Sequence, residues 1–295
     1  MNASRIALVT GANQGLGRAL TEGLAARLGP DDLVLLTGRD PGRVADAAAE
    51  VTRRPGTRAR VEGRVLDVTD TDAIARLADE LGARYGGADI VVSNAVARVL
   101  PGDSQSARAD EFIDVSNTAT HAILRSFGAV LRTRGRLLVV ASSLGTLGHL
   151  DPRLHHLFDG ASLDQVECAV ESWRSAVHHR TATEAGWPVW LNVPSKVAQV
   201  AAVRAVAAER REQDLANGTL VASVCPGMVD TATSRPWFSD HSGAQSPAEA
   251  ARAVLDLVFA EDVDPDLYGE LIRFGKPLPW HEGTPLVEQD RLVTP

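Results

Sequence analysis

A short apolar run, Ile6–Val9, is followed by glycines and then by "RALTEGLAARLG", in which Leu20, Leu24 and Leu28 recur at helical spacing. This is strand, turn, helix, and the unit repeats. "DDLVLLTG" precedes "RVADAAAEVTR", "ARVEGRVLDV" precedes "DAIARLADELGARYG", and "ADIVVSNA" precedes "DEFIDVSNTATHAILRSFGAVLRT", after which comes "GRLLVVASS". Strands such as Leu137–Ala141 are unbroken apolar runs rather than alternating ones, as required of strands covered by helices on both faces. Alternating β and α elements of this kind predict an α/β protein with a doubly wound parallel sheet.

The rhythm breaks after Gly148. Residues 149–187 are polar, hold five of the eight histidines and contain one helical segment, "SLDQVECAVESWRSAVHH", with Ser162 as its N-cap. This stretch reads as a helical insertion. The alternation then resumes with a helix over about Pro194–Asp214, a strand "TLVASVC", a loop "PGMVDTATSRPWFSDHSGAQS", a helix over about Pro247–Ala260 and a last strand near Leu271–Phe274. The tail, residues 275–295, is Pro-rich and reads as loop. Residues 1–295 are expected to form one domain, since an α/β sheet of this length can enclose a single large core.

Charge and cysteine usage exclude several function classes. A net charge of −8 and a pI near 5.5 argue against a nucleic-acid or cationic membrane surface, because phosphate binding needs clustered Lys and Arg. Cys168 and Cys225 lie in unrelated segments without C-x-x-C spacing, so neither a disulfide framework nor a zinc knuckle is expected. The N-terminal run lacks the form of a signal peptide, and no apolar stretch reaches membrane-spanning length. The expectation is a soluble, cytoplasmic protein acting on a small molecule, with no nucleic-acid or membrane partner.

"TGANQGLG", Thr10–Gly17, joins the first strand to the first helix. Glycines there permit a tight turn and close backbone approach, while free N–H groups and the helix dipole favour a phosphate. Its place directly after the first strand points to a dinucleotide. The end of the second strand then discriminates between cofactors, because a carboxylate there grips a ribose 2′-hydroxyl whereas a basic residue accommodates a 2′-phosphate. "LLTGRD" offers Arg39, favouring NADP(H), with Asp40 beside it as the argument for NAD(H).

Together these residues resemble the short-chain dehydrogenase/reductases, and most closely their carbonyl reductase branch, from Arg5 to about Trp280. The resemblance implies a Rossmann fold and an NADP(H)-dependent oxidoreductase. Its cofactor motif is matched by Thr10, Gly11, Gly15 and Gly17, with Asn13 and Leu16 in the same turn. Asp67, with Val68 next to it, matches the acidic residue beside the adenine. The family's N-N-A-G appears as "SNAV", keeping Asn94 and Ala95, and "CPGMVDT" matches the segment lining the nicotinamide, with Pro226, Gly227, Val229 and Thr231. The insertion, ending in "AGWP" at Ala185–Pro188, is a feature of that branch and implies a monomer, although a homo-oligomer stays open.

The resemblance also implies a catalytic set. Asn117 matches the asparagine that anchors a water relay, Ser143 the serine that bonds the substrate carbonyl, and Lys196 the lysine that binds the nicotinamide ribose. The family's tyrosine would fall at residue 192, which is asparagine. A phenol beside an ammonium titrates toward neutral pH and exchanges a proton with the substrate; a neutral amide does not. That loss is typically worth about 10²–10⁴-fold. Asn192 can still donate a hydrogen bond to a carbonyl. Alternatively it serves as the N-cap of its helix, bonding the Ser195 amide, because Pro194 requires the helix to begin nearby.

Other residues compete for a role. Adjacent histidines on a helix diverge by about 100°, so the His-His pairs are poor metal sites and no metal is expected. His149, six residues beyond Ser143, is the first alternative proton donor. Trp187, Trp190, Trp237 and Phe238 flank the presumed cleft as pocket or core rings. A serine hydrolase is disfavoured, since "ASSLG" lacks the G-x-S-x-G elbow. Two further readings remain at this level: a redox-inactive NADP(H)-binding or regulatory protein, and a non-redox dehydratase or cyclase on the same fold.

Overall fold

The structure is a computed structural model and describes residues 5–237 and 240–283. Eight strands, β1 (Ile6–Val9), β2 (Leu33–Gly38), β3 (Arg60–Val65), β4 (Ala88–Ser93), β5 (Leu131–Val140), β6 (Leu220–Cys225), β7 (Leu271–Arg273) and β8 (Lys276–Pro277), form one sheet in the order β3-β2-β1-β4-β5-β6-β7-β8. Every pairing is parallel except β7 with β8. All residues of β1, β2 and β6 are buried, which explains their unbroken apolar sequences. β1 lies between β2 and β4, so the chain reverses its direction of travel across the sheet there, and a crevice opens beyond the carboxyl ends of those strands.

The connecting helices are α1 (Gly15–Arg27), α2 (Pro41–Arg53), α3 (Thr71–Tyr85), α4 (Gln105–Ile113), α5 (Ala119–Ala129), α6 (Leu163–His178), α7 (Asn192–Ala216) and α8 (Pro247–Phe259). α1 packs on α2 and α8, while α5 packs on α3 and α7, giving two helical layers around the sheet. α6 is the insertion helix, and Ser162 caps it as expected, in a reciprocal box with Gln165. Its Trp173 packs at 6.2 Å from Trp187, which meets Phe158 edge-on at 6.1 Å. Arg174 binds Asp110 and Asp114, and Arg125 binds Glu167, so α6 is tied to α4 and α5.

Three local expectations are corrected. The long helix expected over residues 110–133 is interrupted by a π turn, Asp114–Thr118, that separates α4 from α5. α7 starts at Asn192, its N-cap is Leu191, and the Ser195 amide bonds the Leu191 carbonyl at 3.2 Å, so Asn192 is not the cap. Pro194 still falls in the first turn, where its missing N–H leaves no bond unmade. The tail is also more ordered than a plain loop: β8 pairs with β7, and Trp280 is buried, its indole donating to Asp159 while its carbonyl accepts from the Leu147 amide. Residues 284–295 lie outside the described residues.

Candidate functional site

A cleft of about 1130 Å3 runs along the carboxyl ends of the central strands. Its floor is the glycine turn. Gly11, Asn13, Gly15, Leu16 and Gly17 line it, and α1 begins there without a side-chain cap, leaving first-turn amides for an anion. A Cβ on Gly17 would stand 2.5 Å from both the Gly11 carbonyl and Asn94 Nδ2, so no larger residue fits the turn as folded. Gly15 adopts φ +55°, the left-handed region open to glycine.

Thr10 is fully buried and does not reach the cleft wall. Its hydroxyl accepts from the Asn94 and Ala95 amides at 2.9 and 3.0 Å, and Asn94 Nδ2 donates to the Thr10 carbonyl at 2.9 Å. These bonds clip the loop after β1 to the loop after β4. Asn94 and Ala95 do line the cleft. Thr10 therefore stands one layer behind the surface that any cofactor would touch.

At one end, Arg39, Asp40, Asp67 and Val68 line the cleft together with Arg43, which sequence reasoning missed. The signal was present: Arg43 follows Arg39 by four residues at the start of a capped helix. Asp40 accepts from the Arg43 amide at 2.8 Å as the N-cap of α2, which gives that carboxylate a structural role. Asp67 Oδ1 accepts from the Thr69 amide and hydroxyl at 3.0 and 2.8 Å. Two guanidinium groups at this end suit a dianion.

The inner wall joins the end of β5, the start of α7 and the loop after β6. Ser143, Asn192, Lys196, Cys225, Gly227, Val229 and Thr231 line it, while Pro226 is buried and outside the lining. Lys196 is only 9% exposed. Its Nζ donates to the Val140 carbonyl at 3.2 Å and to Gln199 Oε1 at 2.7 Å, and burial pushes its pKa down to about 8, with Cys225 opposing. Asn117 is fully buried behind this wall, outside the cleft lining. Its Nδ2 donates to the Ser195 carbonyl at 3.0 Å, and its Oδ1 is buried with no hydrogen-bond partner among the described residues. Lys196 and Asn117 thus each bond other groups. The Gln199 contact was missed, although a glutamine inside "VAQVAAV" was the visible sign.

The cleft is also lined by the apolar side chains of Val96, Val99, Leu100, Phe112, Trp190 and Trp237, with Arg98, Asp103, Arg108 and Glu111 as charged members of the same stretch. The Trp190 and Trp237 rings lie 5.6 Å apart, and Trp237 Nε1 donates to the Val99 carbonyl at 2.9 Å, tying two cleft loops together. Trp187 belongs instead to the core of the insertion, and Phe238 lies outside the described residues. His149 is not on the wall; its Nδ1 pairs with Thr146 Oγ1 at 2.9 Å, which corrects its candidacy as proton donor. Neither tyrosine lines the cleft. The Tyr268 hydroxyl donates to Asp214 at 2.7 Å, and burial pushes its pKa up. Among the described residues there is no group of three or more His, Cys, Asp or Glu placed to hold a metal ion, and no helix is long and apolar enough to cross a membrane.

Comparison with known proteins gives this geometry a family. A family model described as short chain dehydrogenase matches residues 5–150. Carbonyl reductase (NADPH) 1 of Oryctolagus cuniculus is 30% identical over 275 residues, covering 90% of this chain and 93% of that protein. Carbonyl reductase (NADPH) 3 of Homo sapiens is 31% identical over 239 residues, covering 77% and 83%. The solved structure of salutaridine reductase from Papaver somniferum superposes with a TM-score of 0.75 at 21% identity, covering 90% of this chain and 99% of that one, a likeness of fold. The chain belongs to the short-chain dehydrogenase family and is carbonyl reductase-like within it.

Proposed function

We propose that the protein is an NADP(H)-dependent oxidoreductase that reduces a carbonyl or imine-like group of a small apolar substrate. The observation that carries this reading is continuity: one cleft joins the glycine turn and its arginines to Ser143, Asn192 and Lys196, and then to the apolar section around Trp190 and Trp237. The residues fit a dinucleotide, because the turn is cleared of side chains where Gly11, Gly15 and Gly17 stand and α1 opens without a side-chain cap. The NADPH in the names of the two mammalian relatives supports the same cofactor. Arg39 and Arg43 would take its 2′-phosphate, with Asp67 and Val68 beside the adenine and Gly227, Val229 and Thr231 beside the nicotinamide. Thr10 and Asn94 hold the turn in shape, and Pro226 backs the segment opposite.

Bound NADPH supplies the hydride. Ser143 and Asn192 donate hydrogen bonds to a carbonyl oxygen and polarise the bond to be reduced, or accept through their side-chain oxygens from the N–H of an iminium. Lys196 holds the ribose, and Asn117 anchors the first turn of α7 through the Ser195 carbonyl. A ketone oxygen must gain a proton as it is reduced, and an asparagine amide supplies none. An iminium already carries its proton on nitrogen. Imine-like substrates are therefore favoured over ketones at this wall.

The insertion supports action as a single chain, since α6 packs on α4 and α7 and pairs with α5. The test is NADPH consumption with cyclic imines and matched ketones. Faster imine turnover is expected. Faster ketone turnover would overturn the substrate preference, and NADPH binding without any consumption would overturn the oxidoreductase reading in favour of a regulatory one.

A further inference from the structure

The chain holds only two lysines, Lys196 and the exposed Lys276, among 30 basic residues. Three positions after Lys196, in a helical stretch whose other members from Val197 to Val203 are apolar and buried, stands Gln199, itself 2% exposed. Burying a carboxamide among such neighbours is unfavourable unless both of its ends are bonded. Both are. Oε1 accepts from Lys196 Nζ at 2.7 Å, and Nε2 donates to the Ser116 carbonyl at 2.7 Å and to Thr120 Oγ1 at 3.0 Å. Ser116 lies in the π turn, where the altered helical register presents its carbonyl to α7. The interruption between α4 and α5 is thereby connected, through one side chain, to the ammonium on the cleft wall.

An ammonium has three donors. The Val140 carbonyl takes one and Gln199 takes a second, so one N–H is left for the cleft, and its direction is set by the other two. We infer that Gln199 is a positioning residue, which keeps Lys196 protonated and fixes its remaining N–H on the cleft as a static donor. For the identity of what that donor meets, the cofactor ribose, the inference rests on the oxidoreductase reading above.

The surroundings leave this task to neutral groups. On β6 the titratable neighbour is Cys225, opposite Arg273 of β7 in the sheet register. The loop after β5 offers Ser142 and Ser143, and the π turn and α5 offer Ser116, Asn117 and Thr120. His121 stands nearest Glu167 of α6, at 3.9 Å. No carboxylate among the described residues forms an ion pair with Lys196 Nζ. Burial lowers its pKa to about 8, with Cys225 opposing; a hydrogen bond from the ammonium to a carbonyl oxygen favours the charged form on general grounds.

With two lysines in the chain, carbon-13-labelled lysine gives two side-chain signals, and the buried one is titrated in the full-length protein alongside Gln199→Met and Gln199→Glu. Gln199→Met is expected to lower the Lys196 midpoint by about one pH unit and Gln199→Glu to raise it by a similar amount, since hydrogen bonds to charged groups are worth that much. The alkaline fall in NADPH affinity, read by nucleotide fluorescence, shifts in the same directions. A packing role alone would lower the melting temperature of Gln199→Met and leave the Lys196 midpoint in place, and that result overturns the inference. If the unaltered protein binds no NADPH, the cofactor reading fails on its own and the lysine titration still decides the role of Gln199.

Discussion

Asn192 and Lys196 stand one helical turn apart at the start of α7, and both reach the same wall of the cleft. The lysine is held from behind by Val140 and Gln199, while the asparagine is freed from the capping duty that its position suggested. The wall therefore combines two hydrogen-bond donors from α7 with Ser143 from the loop after β5.

Asn192→Tyr would place a phenol one turn from that ammonium, where the nearby charge favours the phenolate and hence proton exchange. We expect kcat/KM for NADPH-dependent ketone reduction to rise by about 10²–10⁴-fold, the usual worth of a general acid. A steady-state comparison over a ketone panel checks this. An unchanged rate would mean that another part of the wall, and not the proton donor alone, is unsuited to ketones.

Arg39 and Arg43 face the end of the cleft where a 2′-phosphate would lie, and the Asp40 carboxylate beside them already caps α2. Arg39→Ala and Arg43→Ala should each weaken NADPH binding roughly tenfold and leave NADH binding nearly unchanged, because charge-assisted bonds to phosphate are lost only with the first. Calorimetric titration of both nucleotides separates the cases. An equal loss for NADH would place the arginines on the shared part of the cofactor.

Much of this architecture is readable from residue order, because burial on both faces leaves unbroken apolar runs such as Ile6–Val9, Leu33–Leu36 and Leu137–Val140, and the glycine turn follows the first of these strands directly. Ser162 could be placed as a cap since its hydroxyl acts on amides only a few residues away. The π turn at Asp114–Thr118 escaped this logic: the apolar rhythm runs on through it, and one extra residue in a turn changes register without changing composition. The start of α7 escaped for a tertiary reason, because Trp190 packs on Trp237 and Leu191 is buried, and together they fix where the helix can begin. Asn117 lies 79 residues from Lys196 and 82 from Gln199, and only folding shows that it bonds the Ser195 carbonyl while Lys196 bonds Gln199.

Gly17→Ala tests the tightness of the turn. The added Cβ would meet the Gly11 carbonyl and Asn94 Nδ2 at 2.5 Å, and the carbonyl is backbone that cannot swing aside. We expect a loss of about 1–3 kcal/mol in urea denaturation, the usual cost of overpacking, together with weakened NADPH binding as the loop after β1 moves off the loop after β4. Retention of both properties would show that the turn has slack absent from its present geometry.

His121 supplies the acid limit of stability. It is buried on α5, and burial, with Arg125 adding and Glu167 opposing, lowers its pKa from 6.5 to about 4. Between those values the unfolded chain binds a proton that the folded chain refuses, so stability falls as pH drops through that window, by at most about 3 kcal/mol from this group. His121→Leu removes the titration. Urea midpoints measured at neutral pH and at a pH near 4.5 should lie closer together in the variant than in the unaltered protein. An equal separation in both would mean that His121 takes up its proton in the folded state without penalty, and that the acid sensitivity belongs to other groups.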